Sequence, residues 1–337
     1  MPCMAIDFGT FKVDCGLCGD EESLLTMKTP QVFRWEHLDT DRKSRDAFER
    51  SIEIASSYLK EKSGGCVMSI PSFQRMPVYS TVMEYAYEKF KFSDFYYFDQ
   101  MYLAMYSSGR TNGTLLHLGH RSASVVSIHE GQKIYQSRFR CNFETYLSSP
   151  PSFPISSKVL PDGTSFETLE KYNESSGISH SPDPKLWKHL SRLVDNAIMW
   201  GTPMSRTAIV LAGGGTRCVP FSNIQKKICL QLQNYNSSNY INWDMKPPQV
   251  RKNRIYSKNY FVDDIISRNS VKFVKSWSKD TDNEVFTGLS ICGSLSMFER
   301  LCDFNRQLYE ECGPIGMVSR AVRDTENAGW FSGVMVC

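Results

Sequence analysis

MAIDFGTFKVDCGLCG, residues 4–19, alternates loosely about a central Gly9-Thr10. That pattern predicts two strands joined by a tight turn, the glycine supplying the backbone freedom the turn needs. The same unit returns in TLLHLGHRSASVVSIHEG, residues 114–131, where two strands flank Gly119 and a second turn falls at Glu130-Gly131. A third glycine turn closes TAIVLAGGG, residues 207–215: a buried strand runs into Gly213, Gly214 and Gly215, followed by Thr216 and a helix over 221–232. Backbone N–H groups at such turns can cradle phosphate from opposite sides, and a helix start favours an anion. One such turn says little. Three in one chain, in this order, are a much stronger signal of phosphate binding.

Between these landmarks, 28–50 is short, charged and turn-rich. Over 45–60, Phe48, Ile52, Ile54, Ala55, Tyr58 and Leu59 recur at helical spacing and predict an amphipathic helix. CVMSIP (66–71) is an apolar run ended by proline, hence a buried strand, and a second helix follows over 76–90. FYYFDQMYLAMYSSG (95–109) reads as a buried strand passing into a helix that stops at Gly109. Its aromatics fit packed core better than a stacking platform. Residues 148–184 are Ser/Pro-rich, so loops and short pieces are expected, and 187–200 is helical. Residues 233–260 are polar, with Lys246, Arg251, Lys252, Arg254 and Lys258 in or near KPPQVRKNR; they read as an exposed, solvated insertion. VFTGLSICGSLSMFERL (285–301) is expected to be a strand, a glycine-marked turn and a helix, and the tail from about Asp324 loosely packed.

The 337 residues, 41% apolar, suffice for about two domains. A balance of 39 basic to 36 acidic residues argues neither for nucleic acid nor for a membrane surface. No stretch approaches the roughly 20 apolar residues of a membrane span, and the first residues carry no secretory pattern. Cytoplasm, with the nucleus as alternative, is the expected compartment. Eleven scattered cysteines then read as small buried hydrophobes. Cys15 and Cys18 form a C-x-x-C, but Cys302 and Cys312 do not complete a zinc set.

IDFGTFKVDCGLCGD (6–20), LAMYSSGRTNG (103–113), LLHLGHRSASVVSIHEG (115–131), VLPDGTSF (159–166), LAGGGTRCVPF (211–221) and the segment from 285 to Pro314 are collinear with motifs of the actin family, and the sequence resembles a divergent actin-related protein. The resemblance implies a two-lobed α/β actin-like ATPase fold with reduced small subdomains. The first lobe would be 1–107 with 284–337, residues 28–50 being the remnant of one small subdomain. The second would be 108–283, with 140–189 a reduced small subdomain and 233–260 the insertion.

The resemblance places residual nucleotide contacts at Asp7, Gly9, Thr10, Lys12, Gly119, Gly213, Gly214, Gly215 and Thr216, and the water-positioning glutamine at Gln100. It also shows what has changed. The family's phosphate-contacting lysine falls on Asp14, with Lys12 as a substitute two residues earlier. The two aspartates that hold the magnesium water shell fall on His117 and His120, and imidazole is a poor ligand for an ion that wants oxygen. The histidine that orders the attacking water falls on Ser124, and a glycine beside the ribose falls on Arg140. The adenine-clamping stretch is mostly missing. His117, His120 and His129 read as filling a vacated phosphate cavity rather than holding a metal.

The expectation is therefore no intact catalytic set, no metal, and no firmly held cofactor, with ATP or ADP as the candidate nucleotide. With both small subdomains cut down, self-polymerisation is not expected. A protein partner, presenting an amphipathic helix to the barbed-end cleft, is expected at Tyr106, Leu295 and Phe298; no membrane and no direct nucleic-acid contact is. This gives a non-catalytic structural subunit of a cytoskeletal assembly. The alternatives are a nuclear actin-related subunit of a chromatin-remodelling complex and a residual ATP-binding actin-like protein.

Overall fold

The computed structural model describes residues 3–59, 64–72, 74–140, 155–169, 184–202, 205, 208–218, 226, 272–274, 283–295 and 305–327. In chain order, β1 (Cys3–Phe8), β2 (Lys12–Leu17) and β3 (Leu25–Lys28) form an antiparallel meander. After α1 (Arg42–Leu59), β4 (Gly65–Ile70) pairs parallel to β1; after α2 (Met76–Glu84) and a π turn at Tyr85–Lys89, β5 (Asp94–Asp99) pairs parallel to β4. Helix α3 (Gln100–Tyr106) then leads to a second meander, β6 (Gly113–Leu118), β7 (Ser122–His129) and β8 (Gln132–Arg140). The remaining elements are β9 (Ile155–Val159), β10 (Ser165–Leu169), α4 (Pro184–Trp200), β11 (Ala208–Ala212), β12 (Lys272–Val274), α5 (Glu284–Ser294) and α6 (Arg306–Asn327). Strands β11 and β12 add parallel beside β6.

The two sheets share one plan. Order β5-β4-β1-β2-β3 in the first is matched by β12-β11-β6-β7-β8 in the second. Tight turns make the meanders, and helical crossovers are what parallel neighbours require. The recurrence of the strand–glycine–strand unit is therefore a recurrence of architecture, though no sequence repeat accompanies it.

Strand alternation divides the second sheet between two cores. Leu115, Val126, Ile128 and Val210 join the large core that contains α3, whereas Leu116, Leu118, Val125, Ile209 and Leu211 pack with Leu186, Trp187, Leu190 and Val194 of α4. Helix α5 lies on the first sheet so closely that a Cβ at Gly16 would sit 2.7 Å from Cζ of Phe286. No helix among the described residues is long and apolar enough to cross a membrane.

Two expectations are corrected, the first for 285–301 and the second for β9–β10. Residues 284–294 are one helix, not a strand and turn: Val285, Phe286, Leu289 and Cys292 are buried at helical spacing. Their glycines mark contacts rather than a turn, since a Cβ at Gly288 would run into the carbonyl of Leu103 and one at Gly293 into Sγ of Cys18. The segment 28–50 also contributes to the core. Phe33, Trp35, Leu38 and Phe48 are buried there, a 3-10 turn forms at Trp35–His37, and α1 already begins at Arg42. The hairpin β9–β10, expected in the second lobe, joins the first sheet through Thr168 opposite Met27 of β3. The last helix runs as far as Asn327, with a kink at Gly313-Pro314, and the packing of the tail expected from about Asp324 lies outside the described residues. The expected helix over 221–232, except Lys226, and the insertion at 233–260 with its basic residues lie outside the described residues.

Candidate functional site

A cleft of about 520 Å³ opens between the two meanders. The two hairpin tips that face it are built alike. The Gly9 N–H donates to the Lys12 carbonyl at 2.9 Å, and the Gly119 N–H donates to the Ser122 carbonyl, also at 2.9 Å. Gly213 adopts φ 92° and a Cβ there would lie 2.5 Å from the Leu118 carbonyl oxygen, so the third glycine turn rests directly on β6. Asp7, Gly9, Thr10, Lys12, Gln100, Gly119, Gly213, Gly214 and Gly215 all line the cleft. Thr216 is spent inside the turn: its N–H and its hydroxyl both donate to the Gly213 carbonyl, at 3.0 and 2.7 Å.

The charged groups are arranged differently from the expectation. Asp7 and Asp14 oppose each other across β1 and β2. Asp14 does not stand bare before the cleft, because it accepts a hydrogen bond from the Thr26 hydroxyl at 2.6 Å and its other oxygen lies 2.8 Å from Lys12 Nζ. Lys12 also donates to Asn283 Oδ1 at 2.6 Å, so its ammonium is held by neighbours rather than offered to a phosphate. Asp7 accepts from the Ser69 hydroxyl and, at 3.0 Å, from the Gln100 amide. Burial, with Asp14 close by, pushes the Asp7 carboxyl up to about 7. Gln100 is thus engaged with Asp7 and Ser69. His117 is driven down to about 4 by its enclosure and is neutral at physiological pH.

Strand register explains a row that the sequence reading did not assemble. His117, Ser124 and Arg138 are consecutive partners across β6, β7 and β8, and all three line the cleft. From this wall, groups reach across to the first sheet and its connections. The rings of His120 and Phe11, one from each hairpin tip, have centroids 5.2 Å apart. Arg121 donates to the Phe33 carbonyl at 3.0 Å, and Arg138 lies 3.5 Å from a Glu36 carboxylate oxygen that Arg140 approaches at 4.0 Å. Lys133 pairs with Asp99 at 2.8 Å, both nearly buried, and Asp99 also accepts from the Ser72 hydroxyl and caps α3 through the Met101 N–H. Counting back from the β7–β8 turn would set Ser137 opposite Ser124; the register shift between Ser127 and Ile128 brings Arg138 there instead, and nothing in the sequence points to Phe11, Glu36 or Lys133.

These residues do not fit a magnesium nucleotide. Imidazoles stand where oxygen donors are required, the nearby lysine is already neutralised, and the hairpin tips touch each other. Among the described residues no group of three or more His, Cys, Asp or Glu could hold a metal ion. Of the expected partner residues, Tyr106 packs against the large core close to Cys292 of α5, Leu295 follows α5 and is exposed, and Phe298 lies outside the described residues. A model of the family described as Actin matches residues 52–189. No curated protein matches the chain.

Proposed function

Since the chain is a member of the actin-like superfamily, we propose that it serves as a non-catalytic structural subunit of a protein assembly, cytoskeletal in kind, and does not polymerise on its own. The observation that carries this reading is the contact of Phe11 with His120. Two hairpins that would cradle phosphates from opposite sides instead close on each other. The pairing of Lys12 with Asp14 supports it, for the same site gives a triphosphate no unpaired ammonium at that hairpin. Partner binding is supported at the end of α5, where Ile291 and Leu295 are exposed one helical turn apart and offer an apolar edge to an amphipathic helix.

The test is the nucleotide content of the purified protein, released by denaturation and quantified. Far less than one nucleotide per chain is expected. Stoichiometric ATP or ADP would overturn the reading of the site. Sedimentation under polymerising salt should leave the protein in the supernatant, and affinity purification should return cytoskeletal subunits; co-purification with DNA-dependent ATPase subunits would place it in a nuclear complex instead.

A further inference from the structure

Gln74 lines the cleft, is 6% exposed, and has no hydrogen-bond partner for either its Nε2 or its Oε1 among the described residues. A buried carboxamide with both ends unpaired is a standing cost that native structures seldom carry without a use. The other polar groups around it are engaged. Glu36 faces Arg138, Ser72 donates to Asp99, and Gln100 holds Asp7. Of the Lys and Arg residues that line the cleft among the described residues, Lys12 is held by Asp14, Arg138 by Glu36 and Arg121 by the Phe33 carbonyl, and Lys158 is exposed. Around these groups the walls are apolar, supplied by Trp35, Leu24, Leu25, Met101, Leu169 and Val285.

We propose that this cleft binds a small uncharged planar molecule carrying a hydrogen-bond donor next to an acceptor (a carboxamide, lactam or aminoheterocycle), paired edge to edge with the Gln74 amide. The amide offers one donor edge and one acceptor edge, so the complementary edge offers the reverse, as in bidentate pairing of glutamine with a nucleobase. A cleft of about 520 Å³ is of the size that encloses such a ligand. The proposal rests on the reading of the site as unsuited to a magnesium nucleotide, and the experiment separates the two.

The full-length protein is titrated with adenine, nicotinamide, uracil and, separately, MgATP, following thermal midpoint and ligand-detected saturation-transfer NMR. At least one uncharged probe is expected to raise the midpoint by several degrees at millimolar concentration. Its affinity should fall at least tenfold in Gln74→Glu, which keeps the side-chain size but loses the donor, and likewise in Gln74→Leu. Should Gln74→Leu fail to fold, Gln74→Glu and the wild-type NMR contacts decide. No binding by any uncharged probe, or binding unchanged in Gln74→Glu, overturns this proposal and leaves the structural reading intact. Stabilisation by MgATP alone overturns both.

Discussion

Asp7 and His117 face the same cleft with perturbations of opposite sign. The Asp7 carboxyl is raised from 3.8 to about 7, so the folded state holds a proton that the unfolded chain has released. Stability from this group is present below the unfolded pKa and is lost as pH climbs through the folded one, with a ceiling of about 4 kcal/mol for so large a shift. His117 is lowered from 6.5 to about 4, so the unfolded chain binds the extra proton and this group adds stability as pH rises over that interval. Between about pH 4 and 6.5 the two slopes largely cancel. Asp7→Asn, which can still accept from Gln100, should uncover the rising His117 slope; its urea midpoint should climb from pH 4.5 to 6.5 more steeply than that of the wild type. His117→Gln should do the reverse and lose stability towards pH 7. Parallel profiles for all three proteins would show that neither shift is real.

At the scale of elements, close backbone approach decides how α5 is held. A side chain at position 288 has no room against the Leu103 carbonyl of α3, so Gly288→Ala should cost about 1–3 kcal/mol through overpacking. The urea midpoint should fall with an unchanged slope. The same helix shows what the sequence could and could not disclose. Both hairpins were legible, because period-2 alternation around a lone glycine leaves few other readings. The 285–301 segment was not, because a short apolar run with small residues fits a buried strand or a buried helix equally well until its partner is known. The placement of β9–β10 depends on a single long-range pairing, Thr168 with Met27, which no local pattern announces. In the cleft, the residues carried over from the family were brought together except Thr216, while Arg138 needed strand register. Gln74 needed a negative fact, that its carboxamide has no hydrogen-bond partner among the described residues.

For the whole molecule, the decisive contacts are those that cross between the two sheets. The Lys133–Asp99 pair is the most enclosed of them, with side chains 10% and 4% exposed. Removing one partner strands the other charge in a poor medium. Lys133→Met should therefore cost about 3–5 kcal/mol, and adding Asp99→Asn should return part of it; a double variant no better than the single one would show that the pair does not act as a unit. Hydrogen exchange should quicken first in β6–β8. With aromatic contact at the hairpin tips, Arg121 on the 31–33 loop, Arg138 on Glu36 and Lys133 on Asp99, the cleft is fastened at several points between its walls. A cleft whose walls are tied together in this way should keep its width as the protein fluctuates, so that a ligand meets a site already shaped rather than one that must close around it.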